Sequence, residues 1–211
     1  MSETQTKTEI KAFGIKVLLS AHPEVRRLKR QHTPSWHGYK FWTSSWLIMD
    51  YLRGEGMPSG TRVLDAGCGW GLTGIWCARA FDAEVTGADI DEEVFPFLDL
   101  HAAVNKVEVA TMETDFDGIR SAALKKFDLI VGADICFWDE MVDPLKRLIK
   151  RALNANVRMV IIADPGRAPF EQLAGYFINN GAGKWTAEAL DRKVDKPRRI
   201  RGRLLVIRKR G

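Results

Sequence analysis

The chain is poor in the residues from which several large protein classes are built. None of its apolar runs approaches the about 18 uninterrupted residues of a membrane-spanning helix, and the opening MSETQTKTEIK is polar where a secretory leader places an apolar block. A soluble, cytoplasmic protein with no membrane partner is expected. Cysteine is scarce: Cys68, Cys77 and Cys136 are odd in number and sit in apolar or glycine-rich contexts. They read as reduced, structural thiols, which excludes a disulfide framework. His22, His32, His37 and His101 have no ligand spacing, so no metal site is expected. Internal repeats and low-complexity tracts are lacking too.

What is present is a core. At 211 residues, 45% of them hydrophobic, the chain is long enough for one domain. Apolar runs alternate with helical spacings: strands at RVLDAG, AEVTGAD, KVEVATM, FDLIVGAD and RMVIIAD, and helices in GLTGIWCARAF, DEEVFPFLDLHAAVN and EMVDPLKRLIKRALN. Five nearly continuous Val, Ile and Leu strands separated by helices predict an α/β fold, a doubly wound parallel sheet covered on both faces. GKWTAEAL and GRLLVIRKR then follow as two strands with only a charged connection between them, an antiparallel pair at the sheet edge. Upstream, TSSWLIMDYLRGEG carries a Thr/Ser cap and a helix leading into the first strand. Residues 1–41 read as an N-terminal extension, partly helical or flexible and loosely held up to about residue 22, and residues 42–211 as the folded domain.

The net charge of +5 is concentrated in HPEVRRLKRQH and in the closing RKVDKPRRIRGRLLVIRKRG. Such clusters meet phosphate or an acidic protein surface, or form a solvated face.

The stretch RVLDAGCGWGLTG holds the chemistry. In a doubly wound sheet the ligand lies beyond the carboxyl ends of the strands, where a glycine turn lets the backbone come close. Gly67, Gly69 and Gly71 supply the turn, and Asp89 ends the second strand at the roughly 20-residue spacing of a carboxylate that accepts ribose hydroxyls. The spacing is Asp-x-Gly-x-Gly-x-Gly, not the Gly-x-Gly-x-x-Gly of dinucleotide binders. A carboxylate at Asp65 would repel a pyrophosphate. It suits a cationic, phosphate-free nucleoside such as S-adenosylmethionine.

From about Trp42 to Val206 the sequence resembles the class I, seven-strand S-adenosylmethionine-dependent methyltransferases, on VLDAGCGWGLTGI, VTGADID, METDF and FDLIVGADICFW. The resemblance implies a Rossmann-like seven-stranded sheet closed by an antiparallel pair. It implies that Asp65, Gly67, Cys68, Gly69 and Gly71 surround the amino-acid end of the cofactor and that Asp89 holds the ribose. Ile90 would pack on the adenine, Asp115 would accept its amino group with Phe116 beside the ring, and Asp134 would face the methyl donor. For Asp115 a helix N-cap is the alternative role.

YKFWTSSWLIMDYL and ADICFW are further similar to the protein-lysine methyltransferase branch, whose Asp-x-x-Tyr/Phe motif would be Asp134 to Phe137 here. This resemblance implies a protein lysine as acceptor and S-adenosylhomocysteine as product. In such chemistry Asp134 would orient the amine, Phe137 and Trp138 would wall its head and exclude water, and Trp42 would close over the cofactor. Core packing is the competing role for these aromatics. DICF departs from the Asn/Asp-Pro-Pro-aromatic pattern of adenine and glutamine methyltransferases. A small-molecule amine, or an RNA held by the basic C-terminal segment, is the alternative acceptor, and a non-catalytic cofactor-binding scaffold is the alternative function.

Overall fold

The computed structural model describes residues 7–35 and 37–210. β1 (Glu9–Ala12) and β2 (Ile15–Leu18) form an antiparallel hairpin, followed by α1 (Pro23–Gln31) and α2 (Ser45–Glu55). The alternating part comprises β3 (Arg62–Ala66), α3 (Leu72–Phe81), β4 (Glu84–Asp89), α4 (Phe95–Asn105), β5 (Ala110–Glu113), α5 (Ser121–Leu124), β6 (Leu129–Ala133), α6 (Val142–Asn154) and β7 (Met159–Asp164). It ends with α7 (Ala168–Asn179), β8 (Trp185–Val194) and β9 (Ile200–Lys209).

Seven strands share one sheet in the order β5-β4-β3-β6-β7-β9-β8; the first five are parallel, and β9 runs antiparallel to both β7 and β8. The predicted α/β architecture with its closing antiparallel pair is therefore the observed one. The two-residue period of a strand builds two cores. Val63, Val131, Ile161, Leu204 and Val206 face one layer, while Leu64, Ile130, Ile162, Leu205 and Ile207 face the other. On the second face α6 buries Leu145, Leu148, Ile149 and Ala152, the spacing of a single helical stripe. Each such fully buried Leu or Ile contributes about 1.5–3 kcal/mol.

Three sequence expectations change. Residues 7–22 are not loosely held: Ile15, Val17 and Leu18 of the hairpin are buried in the first core. The hairpin is also tied to α4, because Leu18 N donates to His101 Nε2 (3.1 Å) and Asn105 bonds both the N and the O of Lys16 (2.7 and 2.8 Å). Residues 1–6 lie outside the described residues. The strand expected at KVEVATM begins only at Ala110, because Lys106 caps α4 in the left-handed region (φ 57°) and parallel pairing with β4 starts at Thr86↔Ala110. A further helix, α7, separates β7 from β8 and buries Phe170, Leu173, Ala174 and Phe177.

The strand order reverses between β3 and β6, so their carboxyl ends open a crevice there. Ala66 pairs with Ala88, and Ala133 with Ala163, which puts the ends of all four central strands on one rim.

Candidate active site

The turn after β3 carries Gly67, Gly69 and Gly71 at φ of 64°, 50° and 71°, a region that side-chain-bearing residues avoid. A Cβ on Gly67 would lie 2.6 Å from Ile135 Cγ2, so glycine is the residue that fits; at Gly69 the same direction is open space. Gly71 serves packing instead, since its missing Cβ makes room for Leu98 of α4. It does not line the cavity described next.

A cavity of about 310 Å³ opens over this turn. Gly67, Gly69, Asp89, Ile90, Asp115 and Phe116 line one part of it; Trp42, Asp134, Phe137 and Trp138 line another. The structure thus brings together ten of the sequence-predicted site residues. Asp65 and Cys68 line a smaller adjoining cavity that shares Lys40, Trp42, Gly67, Gly69 and Ala133 with the larger one.

The carboxylates are held by backbone. Asp89, at the end of β4, accepts from Gly69 N (2.9 Å) and Asp91 N (3.2 Å), and Asp65 accepts from Gly74 N in α3 (2.9 Å). Burial pushes both carboxyls up, Asp65 to about 7. Ile90 stands 55% exposed at the cavity edge, an apolar surface with no protein partner over half its area. Asp115 accepts from Gly118 N (2.5 Å), a turn-forming bond.

Asp134 follows β6 at φ 59° and is buried. Its Oδ2 accepts from Ser44 N at the start of α2 (3.1 Å), and its Oδ1 accepts from Arg167 Nη2 (2.9 Å). Arg167 also pairs with Asp164 at the end of β7 (2.6 Å). Burial raises the Asp134 carboxyl, and the Ser44 bond and the Arg167 charge oppose the rise.

An aromatic wall stands beside Asp134. Phe137 stacks on His37 (4.9 Å) and meets Trp42 edge-on (4.9 Å), and Trp138 lies 5.4 Å from His37. Arg167 lays its guanidinium over the Phe137 ring at 3.9 Å, and Lys40 Nζ sits 4.1 Å over Trp42. Cys136 is fully buried with its thiol pushed up to about 12 by burial, so it is no nucleophile.

His37, Lys40, Asp164 and Arg167 are absent from the sequence-predicted set. Lys40 had a local signal, a cation inside the aromatic run YKFW; Asp164 ends a strand as Asp134 nearly does. Arg167 had none, because its partner Asp134 is 33 positions away.

The part of the chain that carries the glycine turn, Asp89 and Asp134 matches known proteins. The family model described as "Methyltransferase domain" matches residues 63–156. Among curated relatives, the electron transfer flavoprotein beta subunit lysine methyltransferase of Danio rerio is 27% identical over 139 residues, covering 65% of this chain and 52% of that protein. The ubiquinone biosynthesis O-methyltransferase of Ruegeria sp. (strain TM1040) is 33% identical over 97 residues, 46% of this chain and 38% of that protein. The chain thus spans about half the length, or less, of these relatives. Among solved structures, magnesium protoporphyrin IX methyltransferase from Synechocystis PCC 6803 with bound SAM superposes with a TM-score of 0.58 at 20% identity, over 89% of this chain and 82% of that one. Residues 63–156, from β3 to α6, are thus similar to a methyltransferase domain, and the seven-strand sheet shares the fold of this solved methyltransferase.

Proposed function

We propose that the chain transfers a methyl group from S-adenosylmethionine to a nitrogen nucleophile, with the side chain of a protein lysine as the acceptor and S-adenosylhomocysteine as the product. The observation that carries this reading is one cavity running from the glycine turn and Asp89 to an aromatic wall with Asp134 beside it. The names of the flavoprotein-subunit lysine methyltransferases support the choice of lysine.

The residues present fit the cofactor. Gly67 and Gly69 let the backbone approach a ligand, and the cavity is mostly apolar with carboxylates at set positions. Asp65 and Asp89 are pushed up by burial, the condition of carboxylates whose fit improves when hydroxyl or ammonium donors arrive. In this reading Asp89 accepts the ribose hydroxyls, Ile90 and Phe116 flank the adenine, and Asp115 accepts its amino group. Gly67, Cys68 and Gly69 surround the amino-acid end, with Gly71 packing the turn from behind. Asp65 faces the ammonium, and Lys40, which lines both cavities, meets the carboxylate.

When bound, the cofactor supplies a methyl carbon activated by a sulfonium. The protein's own work is alignment and dehydration. Trp42, Phe137 and Trp138 exclude water around the acceptor head, which favours the neutral amine needed for attack. Asp134 spends one oxygen on Arg167 and one on Ser44, but a carboxylate has about four lone-pair sites, so it still accepts an amine N–H and directs the nitrogen lone pair.

Calorimetry tests the cofactor part. Wild type should bind S-adenosylmethionine, and Asp89→Ala should bind it about 10- to 100-fold more weakly, the range of a hydrogen bond to a charged group; equal affinities would reject the assignment. Radiolabelled cofactor with a cell lysate, treated afterwards with protease or nuclease, tests the acceptor: label released by nuclease, or of small-molecule size, overturns lysine.

A further inference from the structure

The cations of the closing β8–β9 hairpin fall into two groups. Most of those along the strands are in ion pairs: Arg192 with Asp50, Lys193 with Asp195, Arg203 with Glu171 and Asp191, and Arg208 with Glu55 and Glu188, while Lys209 bonds the Asn156 amide at the far end. Those at or near the tip, Lys196, Arg198, Arg199 and Arg201, are exposed and make no ion pair among the described residues. Four unneutralised charges on one short turn form a local positive field.

Topology places that field at the mouth of the site. Arg203 lies opposite Asp164 in the β7–β9 register, and Asp164, the last residue of β7, is an ion-pair partner of Arg167 beside Asp134. Because β9 is antiparallel to β7, going back from Arg203 to Arg199 continues beyond the carboxyl rim. With about 3.3 Å per residue along a strand and about 4.8 Å between strands, Arg201 and Arg199 stand roughly 14 and 19 Å from the end of β6. The segment that follows β6 on the same rim is acidic: Asp139 and Glu140, next to Trp138, are exposed and also make no ion pair among the described residues. The mouth therefore presents an exposed acidic pair next to Trp138 and an exposed basic cluster at the hairpin tip.

We propose that the β8–β9 tip docks an acidic stretch of the acceptor protein, lying about four to six residues from the modified lysine in an extended segment. This inference rests on the lysine reading of the site and adds the charge pattern of its substrate. Asp139 and Glu140 attract the lysine as it arrives, and Arg198, Arg199 and Arg201 hold the carboxylates beyond it. The same acidic pair opposes a phosphate backbone crossing the mouth, which favours protein over RNA.

The test uses the full chain and three labelled probes read by fluorescence anisotropy at low salt. One is a peptide with a lysine and a glutamate block five residues away, the second has glutamine in place of glutamate, and the third is oligouridylate of similar length. Expected is at least tenfold tighter binding of the glutamate peptide than of the glutamine peptide, a preference lost in the triple variant Arg198→Glu, Arg199→Glu, Arg201→Glu and reduced in the triple Gln variant. Equal binding of the two peptides, an unchanged preference in the variants, or tighter binding of oligouridylate through the same arginines would overturn it. The readout needs no turnover, so it stands apart from failure of the methyl-transfer reading, which shows as loss of cofactor binding in the wild type.

Discussion

Arg167 Nη2 lies 2.9 Å from Asp134 Oδ1, and this contact joins the ends of β6 and β7 through Asp164. Asp134 and Asp164 are buried, and Asp134 also has an unfavourable positive φ. One guanidinium therefore compensates two buried carboxylates and fixes a strained residue at the mouth of the site.

Removing that guanidinium should show in stability first. Arg167→Ala is expected to cost on the order of 3 kcal/mol at neutral pH, the scale of a broken buried pair. The Asp134 carboxyl, already pushed up by burial, would rise further without the Arg167 charge, so the loss should shrink as the pH falls and it protonates. Urea unfolding at pH 7 and pH 5 checks this: a loss independent of pH refutes the charge argument. Arg167→Lys should recover part of the stability.

Lys40 gives a test that separates the two ends of the cofactor. Lys40→Ala should weaken S-adenosylhomocysteine binding about tenfold, or 1.4 kcal/mol. Binding of methylthioadenosine, which lacks the amino-acid portion, should not change. Calorimetry with both ligands measures the difference, and equal losses would remove Lys40 from the carboxylate.

Gly67 and Gly69 share a backbone conformation but not a neighbourhood. Alanine at Gly67 adds a steric clash with Ile135 to the conformational cost, whereas alanine at Gly69 meets open space. Gly67→Ala should therefore destabilise the fold by about 1–3 kcal/mol more than Gly69→Ala. Thermal and urea unfolding of the pair decide it; similar losses would mean that Ile135 yields.

His101 makes stability depend on pH. It is buried in α4, with Nδ1 against Phe97 O (2.7 Å) and Nε2 accepting from Leu18 N, and burial pushes its pKa below the ordinary value. A group with a depressed cationic pKa favours folding above the unfolded value of about 6.5, and that advantage is lost as the pH falls below it. Wild type should be less stable at pH 5.5 than at pH 7.5 by more than a His101→Gln variant is. Urea midpoints of both proteins measure the slope.

The parallel core was legible because burial on both faces leaves nearly continuous apolar strands, as in LIVGA and MVIIAD. The glycine turn and Asp89 were legible for a related reason: backbone approach needs a particular residue type at a particular spacing. α7 was harder to read, because Pro169 and Gly175 interrupt its pattern, although Phe170, Leu173, Ala174 and Phe177 carry the stripe. The N-terminal hairpin has two strands of four residues each, and its anchors on His101 and Asn105 are 83 and 89 positions away.

The sequence by itself determined the layer architecture, the glycine turn and the carboxylates at the strand ends, because periodicity and local spacing encode them. The tertiary structure alone decided that Arg167 reaches Asp134, that Lys40 and His37 join the cavity wall, and that the unpaired cations of the hairpin stand over the same rim. These depend on which strands lie side by side and in which direction they run, relations between distant segments that no local pattern contains.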